Sequence, residues 1–350
     1  MGKVCTFRKG YGISKENLSS DGTPCILYGE LYTTYKTAIA KNIKSKTSLD
    51  PTILFHSKKN DVIIPCSGET AEDIATSVCI PYDDILLGGD LTVIRSDLDG
   101  AFLSNQINSV RKYDIARIAQ GKSIVHLQAD ELKKISIAYP TIDEQQKISG
   151  FIDKIDERIE VQNKIISKYE TLIKGLCDKI FRHDKSVCLS DLVKCKTSIL
   201  QENEIATYYN GEYNVFGASG IIASINKYQF EDDGILVLKD GSKAGKIQYA
   251  GGKYSVVGTS VVLIPNNAED ARYLYFAMLS IDFDKYKVGS GIPHIYFKDY
   301  SCERIYYPNS ALRIRIAKVL DAYEKKVEIE KEMLSALQKQ KAFLLQSMFI

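Results

Sequence analysis

The sequence predicts a mixed α/β (α+β) fold: two similar modules separated by two long antiparallel coiled-coil helices, the halves related as a pseudo-twofold internal repeat. Three observations predict it. A motif recurs at a fixed shift, a heptad stripe follows each copy of that motif, and short apolar runs of strand length precede it.

The repeat comes first because it organises the rest. Gly121-Lys122-Ser123-Ile124-Val125-His126-Leu127 and, 168 residues later, Gly289-Ser290-Gly291-Ile292-Pro293-His294-Ile295 share the pattern Gly-x-[Ser/Gly]-Ile-x-His-apolar. The same shift, without a gap, pairs Tyr139-Pro140 with Tyr307-Pro308, Ile148 with Ile316, and Phe181 with Phe349. A register held that long makes the two halves copies.

Ahead of each motif lies a more variable stretch rich in Gly, Asp, Asn, Val, Ile and Tyr. Runs such as Asp61-Val62-Ile63-Ile64-Pro65 and Gly234-Ile235-Leu236-Val237-Leu238 are bounded by Gly and Asp and are too short for helices. They read as strands.

The helices follow. Ile148, Ile152, Ile155, Ile159, Gln162, Ile166, Tyr169, Ile173, Leu176 and Ile180 are spaced alternately by four and three residues, a heptad seam. The second seam reads Ile316, Leu320, Tyr323, Val327, Glu330, Leu334, Leu337, Lys341, Leu344 and Met348. Each helix starts after a proline, Pro140 or Pro308, and Thr141 with Glu144 has capping-box spacing. Gln162 and Glu330 interrupt the seams at equivalent places, either to fix register or to face solvent at a bend. A helix of about 34 residues is about 50 Å long and cannot hide its stripe inside one module, so the two helices are expected to pack on each other. The expected boundaries are 1–140 for the first module, 141–183 for its helix, 184–308 for the second module and 309–350 for the last helix.

Composition bounds the function. With 46 Lys+Arg against 44 Asp+Glu the formal charge is +2, which excludes a polycation binding by bulk attraction and leaves only local patches. The opening Met1-Gly2-Lys3-Val4-Cys5 has no hydrophobic signal core, and no apolar stretch reaches membrane length, so a cytoplasmic protein is expected. The eight cysteines contain no Cys-x-x-Cys pair and the four histidines lack zinc-ligand spacing, so no metal is expected.

Catalytic patterns fail on inspection. Gly241-Ser242-Lys243-Ala244-Gly245-Lys246-Ile247 approaches a phosphate-binding loop but is one residue short between the glycines, and Ile247 stands where a Ser/Thr is needed. Phe216-Gly217-Ala218-Ser219-Gly220 is a glycine turn with no accompanying amino-methyltransferase motif. No Gly-x-Ser-x-Gly elbow or His-Glu-x-x-His occurs. No catalysis and no cofactor are expected of this chain.

At this point the residues resemble a family. Thr141-Ile142-Asp143-Glu144-Gln145-Gln146-Lys147-Ile148, continuing through Phe151-Ile152-Asp153-Lys154-Ile155-Asp156-Glu157-Arg158-Ile159 to Gly175-Leu176-Cys177-Asp178-Lys179-Ile180-Phe181, is similar to the conserved helical region of type I restriction-modification specificity (S) subunits. Gly68-Glu69-Thr70-Ala71-Glu72-Asp73-Ile74 and Leu86-Leu87-Gly88-Gly89-Asp90-Leu91 are similar to that family's target recognition domains. The second helix start, Asn309 to Ile316, lacks the Glu-Gln-Gln-Lys signature. The resemblance implies that each module is a target recognition domain reading one half of a bipartite site in double-stranded DNA. It implies that the helices set the spacer and dock two modification (methyltransferase) subunits carrying S-adenosylmethionine, with restriction subunits joining where present. A specificity subunit of a system with fused methylation and cleavage fits the same residues, and a coiled-coil scaffold for proteins is the reading from another class.

Base contacts need short or planar polar side chains on glycine-relieved loops. Three such loops recur per module. The candidates are Ser67, Gly68, Glu69, Thr70, Gly88, Gly89, Lys122 and Ser123 in the first, and Ser242, Lys243, Thr259, Ser290 and Gly291 in the second. Lys41, Lys44, Lys46, Lys58 and Lys59, with Lys239 and Lys246, are candidate phosphate contacts. His126 and His294 are expected to orient the loop-to-strand junctions. Docking and helix pairing are expected to rest on Ile148, Ile152, Ile155, Ile159, Ile166, Ile173, Ile316, Leu320, Val327 and Leu334.

Overall fold

The apolar runs Val62–Pro65 and Gly234–Leu238, buried at every position, are inner strands of two antiparallel four-stranded sheets. The first sheet runs Cys5–Lys9, Leu91–Ser96, Val62–Pro65, Val78–Cys79 across its width. The second runs Val193–Thr197, Ser260–Pro265, Gly234–Leu238, Ile247–Ala250, the same order and sense. The repeat read from the motif is therefore a repeat of sheet topology as well.

Continuous apolar strands mean a sheet covered on both faces, and the period of two assigns alternate residues to each. In the first sheet Val62, Ile64 and Ile94 meet Ala101, Leu103 and Ile107 of the helix Gly100–Asn108, while Ile63 and Val93 face Ile26, Leu31 and Ile80. In the second, Ile235, Val237, Val261 and Leu263 meet Tyr273 and Leu274 of the helix Ala271–Met278, while Leu236, Val262 and Ile264 face Phe230 and Tyr254. Each such side chain contributes roughly 1.5–3 kcal/mol on burial. Asp99 caps the first of these helices, its Oδ1 accepting from Phe102 N at 2.7 Å. The covers on the opposite faces differ: the strands Leu18–Ser19, Lys46–Thr47, Thr23–Ile26 and Leu86–Leu87 in one case, and Gly220–Ile225, Tyr213–Gly217 and Tyr254–Val256 in the other.

The computed structural model describes residues 1–121, 124–182, 186–205, 211–289 and 291–349. The chain divides into a first unit, Met1–Asn163 with Glu332–Ile350, and a second, Lys164–Lys331. The long helices are Ile142–Phe181, 40 residues, and Ser310–Met348, 39 residues, each roughly 60 Å at 1.5 Å per residue and so longer than the heptad seam it carries. Glu144 Oε2 accepts from Thr141 N at 3.2 Å and Oγ1 at 2.9 Å, so the carboxylate closes the first helix start. At the second start, Asn309 Oδ1 accepts from Leu312 N at 3.0 Å.

Within each unit the two helical segments pair antiparallel. In the first unit Asp156 pairs with Lys341 at 2.5 Å, and Ile148 lies beside Met348 and Phe349. In the second unit Glu170 pairs with Lys331 at 2.6 Å and Tyr169 lies 6.5 Å from Tyr323, while Ile173, Leu176, Ile180, Ile316 and Leu320 join the sheet's core. Every seam position is buried or half-buried, including Ile148, Ile152, Ile155, Ile159, Ile166, Val327 and Leu334. Gln162 and Glu330 are buried too, which removes the solvent-facing alternative. The repeat-equivalent Phe349 and Phe181 close the two cores, at 5.0 Å from Phe102 and 5.4 Å from Tyr273. Among the described residues no helix is long and apolar enough to cross a membrane.

Candidate nucleic-acid interface

The inner strands Val62–Pro65 and Gly234–Leu238 each run into a loop, and in each unit that loop is the hub of a three-way junction. In the first unit Cys66 N donates to Asp90 O at 2.7 Å and Leu127 N donates to Cys66 O at 2.8 Å. In the second, Lys239 N donates to Thr259 O at 2.8 Å and Ile295 N donates to Lys239 O at 2.9 Å, with Gly241 N to Pro293 O at 3.0 Å added. The three loops expected in each module therefore meet at one end of its four-stranded sheet. Turn residues ending neighbouring strands must emerge side by side, and the backbone bonds hold them so.

The third loop has the same backbone closure in both units. Gln120 and His126 exchange backbone bonds of 3.0 and 2.7 Å, and Val288 and His294 exchange bonds of 2.9 and 2.8 Å. Gly121 at φ 135° and Gly289 at φ 97° open the two loops in the left-handed region that favours glycine. His126 pairs across from Ser67. His294 Nδ1 lies 2.8 Å from Asp240 Oδ1, which fixes the imidazole against the hub loop. Lys122, Ser123 and Ser290 lie outside the described residues.

The remaining candidates separate by surroundings. Exposed side chains at the junction are Glu69 in the first unit and Ser242, Lys243 and Lys246 in the second; Gly291 is exposed and Thr259 half-exposed. Ser67 and Gly68 are buried beneath the third loop's strand. Thr70 caps a helical turn, accepting from Asp73 N at 3.1 Å and donating to Asp73 Oδ2 at 2.7 Å. Gly88 is buried, and a Cβ there would meet Leu27 Cδ2 at 2.7 Å and Ile13 O at 2.9 Å; its job is close packing, whereas Gly89 has open space beside it. Lys239 is half-buried at the hub itself.

The lysine run divides. Lys41 is turned to the first long helix, pairing with Asp153 at 2.6 Å and Glu157 at 3.0 Å. Lys58 and Lys59 precede Val62–Pro65 and so sit at the end of that strand opposite the loop junction. Lys46 pairs with Pro24 in the small sheet and Lys44 is exposed just before it.

Two cations outside the predicted lysine set belong to the junction. Arg8 and Lys9, exposed on the edge strand Cys5–Lys9, line a cleft of about 250 Å³ with Cys66, Asp90, Thr92 and His126. In the second unit Lys196 takes the corresponding edge-strand place, opposite Val262. The alternation of the strand, Phe7 inward, signals Arg8 outward; Lys9 shares Phe7's face and is exposed at the strand's end. Burial pushes the Cys66 thiol up, and its Sγ lies 3.0 Å from Thr92 Oγ1, so it is a neutral packing group rather than a nucleophile. Tyr254, fully buried and stacked on Phe230 at 5.5 Å, belongs to the core.

Comparison with known proteins gives a consistent picture. The family model described as type I restriction modification DNA specificity domain matches residues 1–171 and again 184–339. A stretch of 163 residues is 26% identical to the type I restriction enzyme MjaVIII specificity subunit of Methanocaldococcus jannaschii, covering 44% of this chain and 38% of that relative's length. Among solved structures, the type I restriction-modification system S subunit from M. genitalium is similar with a TM-score of 0.70 and 19% identity over 100% of this chain and 94% of that one. A structure described as the basis of complex assembly and conformational transition of the type I R-M system has a TM-score of 0.56 and 15% identity, over 99% and 95%. At these identities the two structures share the fold.

Proposed function

The chain belongs to the family of type I restriction modification DNA specificity domains, and on that premise we propose that it is the noncatalytic DNA-recognition subunit of a type I restriction-modification enzyme acting in the cytoplasm. Each unit reads one half of a bipartite duplex site, and the paired helices set the spacer between the halves. Two modification subunits, which carry S-adenosylmethionine, dock on the helices, and restriction subunits join where present.

The observation that carries this reading is the junction itself. In both units three polar, glycine-containing loops are tied by backbone hydrogen bonds at one end of a rigid sheet, beside basic edge-strand residues. A rigid scaffold with exposed loops is what base readout requires, and fixed cations beside it supply phosphate contacts. Base discrimination is assigned to Glu69, Gly89, Ser242, Lys243 and Thr259. Phosphate contact is assigned to Arg8, Lys9, Lys44, Lys196 and Lys246.

The test is to express the chain with its modification subunit and sequence the methylome. A bipartite modified motif with a fixed gap supports the reading. Binding to duplex DNA that does not weaken with salt would point to a protein scaffold instead.

A further inference from the structure

The hub loops differ between the units in their polar residues, while the third loops keep an isoleucine and a histidine at equivalent places. Ile124 and Ile292 stand two residues before His126 and His294, on loops closed by the same pair of backbone bonds. Both side chains are more than half exposed, at 58% and 63%. An exposed isoleucine taken singly needs no explanation. Two at equivalent tips, in units whose neighbouring loops have diverged from Ser67-Gly68-Glu69-Thr70 to Asp240-Gly241-Ser242-Lys243, point to a role both units share.

Resting on the DNA-recognition reading above, we infer that Ile124 and Ile292 are apolar wedges that press against the stacked bases of each half-site. A residue that is identical in both units cannot distinguish two different half-sites, so its contribution is common to any sequence: apolar burial and bending of the duplex. Branched apolar side chains inserted at a base step act in this way. His294, held by Asp240 on one side and by Val288 on the other, keeps the second tip from folding back.

The measurement uses the full chain assembled with its modification subunits, a fluorescent duplex carrying the methylated motif, and a scrambled duplex. Ile124→Ser should weaken binding to both duplexes by about tenfold, the loss expected when one isoleucine is no longer buried. It should also reduce the duplex bend seen by energy transfer between end dyes, and leave the methylated motif unchanged. Ile124→Leu should bind as the wild type. Unchanged affinity and bend in Ile124→Ser, or a change confined to the bases of one half-site, would overturn the wedge while leaving DNA recognition intact. Absence of duplex binding by the wild-type assembly would instead remove the reading on which the wedge rests.

Discussion

Arg313 donates its Nε to Asp270 Oδ1 at 2.7 Å, with both side chains nearly buried, and its Nη1 to Pro308 O at 2.6 Å. The repeat places Gln145 at the same point of the first helix, where its Nε2 donates to Pro140 O at 2.8 Å and its Oε1 accepts from Asp99 N at 3.0 Å. The loss of the Glu-Gln-Gln-Lys signature in the second copy is thus a change of clamp rather than loss of one. The ion pair joins the second long helix to the residue that begins the sheet-covering helix, and the amide does so in the first unit. Burial, followed by the hydrogen bond to Asp270, pushes the Tyr307 hydroxyl up to about 12, so it remains a donor to that carboxylate at neutral pH.

Breaking the clamp should be costly. Arg313→Gln keeps a donor for Pro308 but leaves Asp270 buried with only Tyr307, and should destabilise the second unit by about 3 kcal/mol in urea unfolding. Gln145→Ala, which removes neutral bonds, should cost only about 1–2 kcal/mol.

Gly88 and Gly89 should respond differently to the same change. A Cβ at Gly88 meets Ile13 O and Leu27, whereas the nearest atom to a Cβ at Gly89 lies 4.0 Å away. Gly88→Ala should cost roughly 1–3 kcal/mol through overpacking, read as a lowered Tm, and Gly89→Ala should leave Tm near the wild-type value.

The lysines separate by salt dependence. Replacing Lys9 by Ala should lower the slope of log affinity against log salt by about 0.9, the share of one phosphate contact. Lys41→Ala should leave that slope unchanged, because its ammonium is held by Asp153 and Glu157, and should cost at most about 1 kcal/mol of stability for a half-exposed ion pair.

Asp156 makes stability depend on pH. Burial raises its carboxyl above the usual range, and the hydrogen bond from Lys341 only partly opposes this. The folded state then holds a proton that the unfolded chain has already lost, so stability falls as pH rises from the ordinary carboxylate value through the raised one. Asp156→Asn should remove that component. The stability of wild type relative to Asp156→Asn should therefore be greater at about pH 4 than above the raised value, measured by urea unfolding of both proteins across that range.

Much of the fold was legible because its signals are local or periodic. The heptad seams, the strand runs at Val62–Pro65 and Gly234–Leu238, and the shift pairing Phe181 with Phe349 all survive in three dimensions as packed groups. The junction loops were visible because glycines and short polar residues mark turns, and turns of adjacent strands converge. What a single sequence does not carry is which neighbour a side chain finds across the fold. Lys41 looked like part of a basic run until the helix carboxylates were beside it. Gly88 resembled a reading loop but is wedged under Ile13. Nothing near Arg8 and Lys9 in the chain announces the turn at Asp90 that stands next to them.

On the proposed function, each loop junction reads one half-site. The direct measurement is methylome sequencing of cells expressing the modification subunit with either the wild-type chain or a variant in which Asp240, Ser242 and Lys243 are replaced by alanine. The expected result is a bipartite motif whose one half is relaxed or changed in the variant while the other half and the gap are kept. Two altered halves, an altered gap, or an unaltered motif would contradict it.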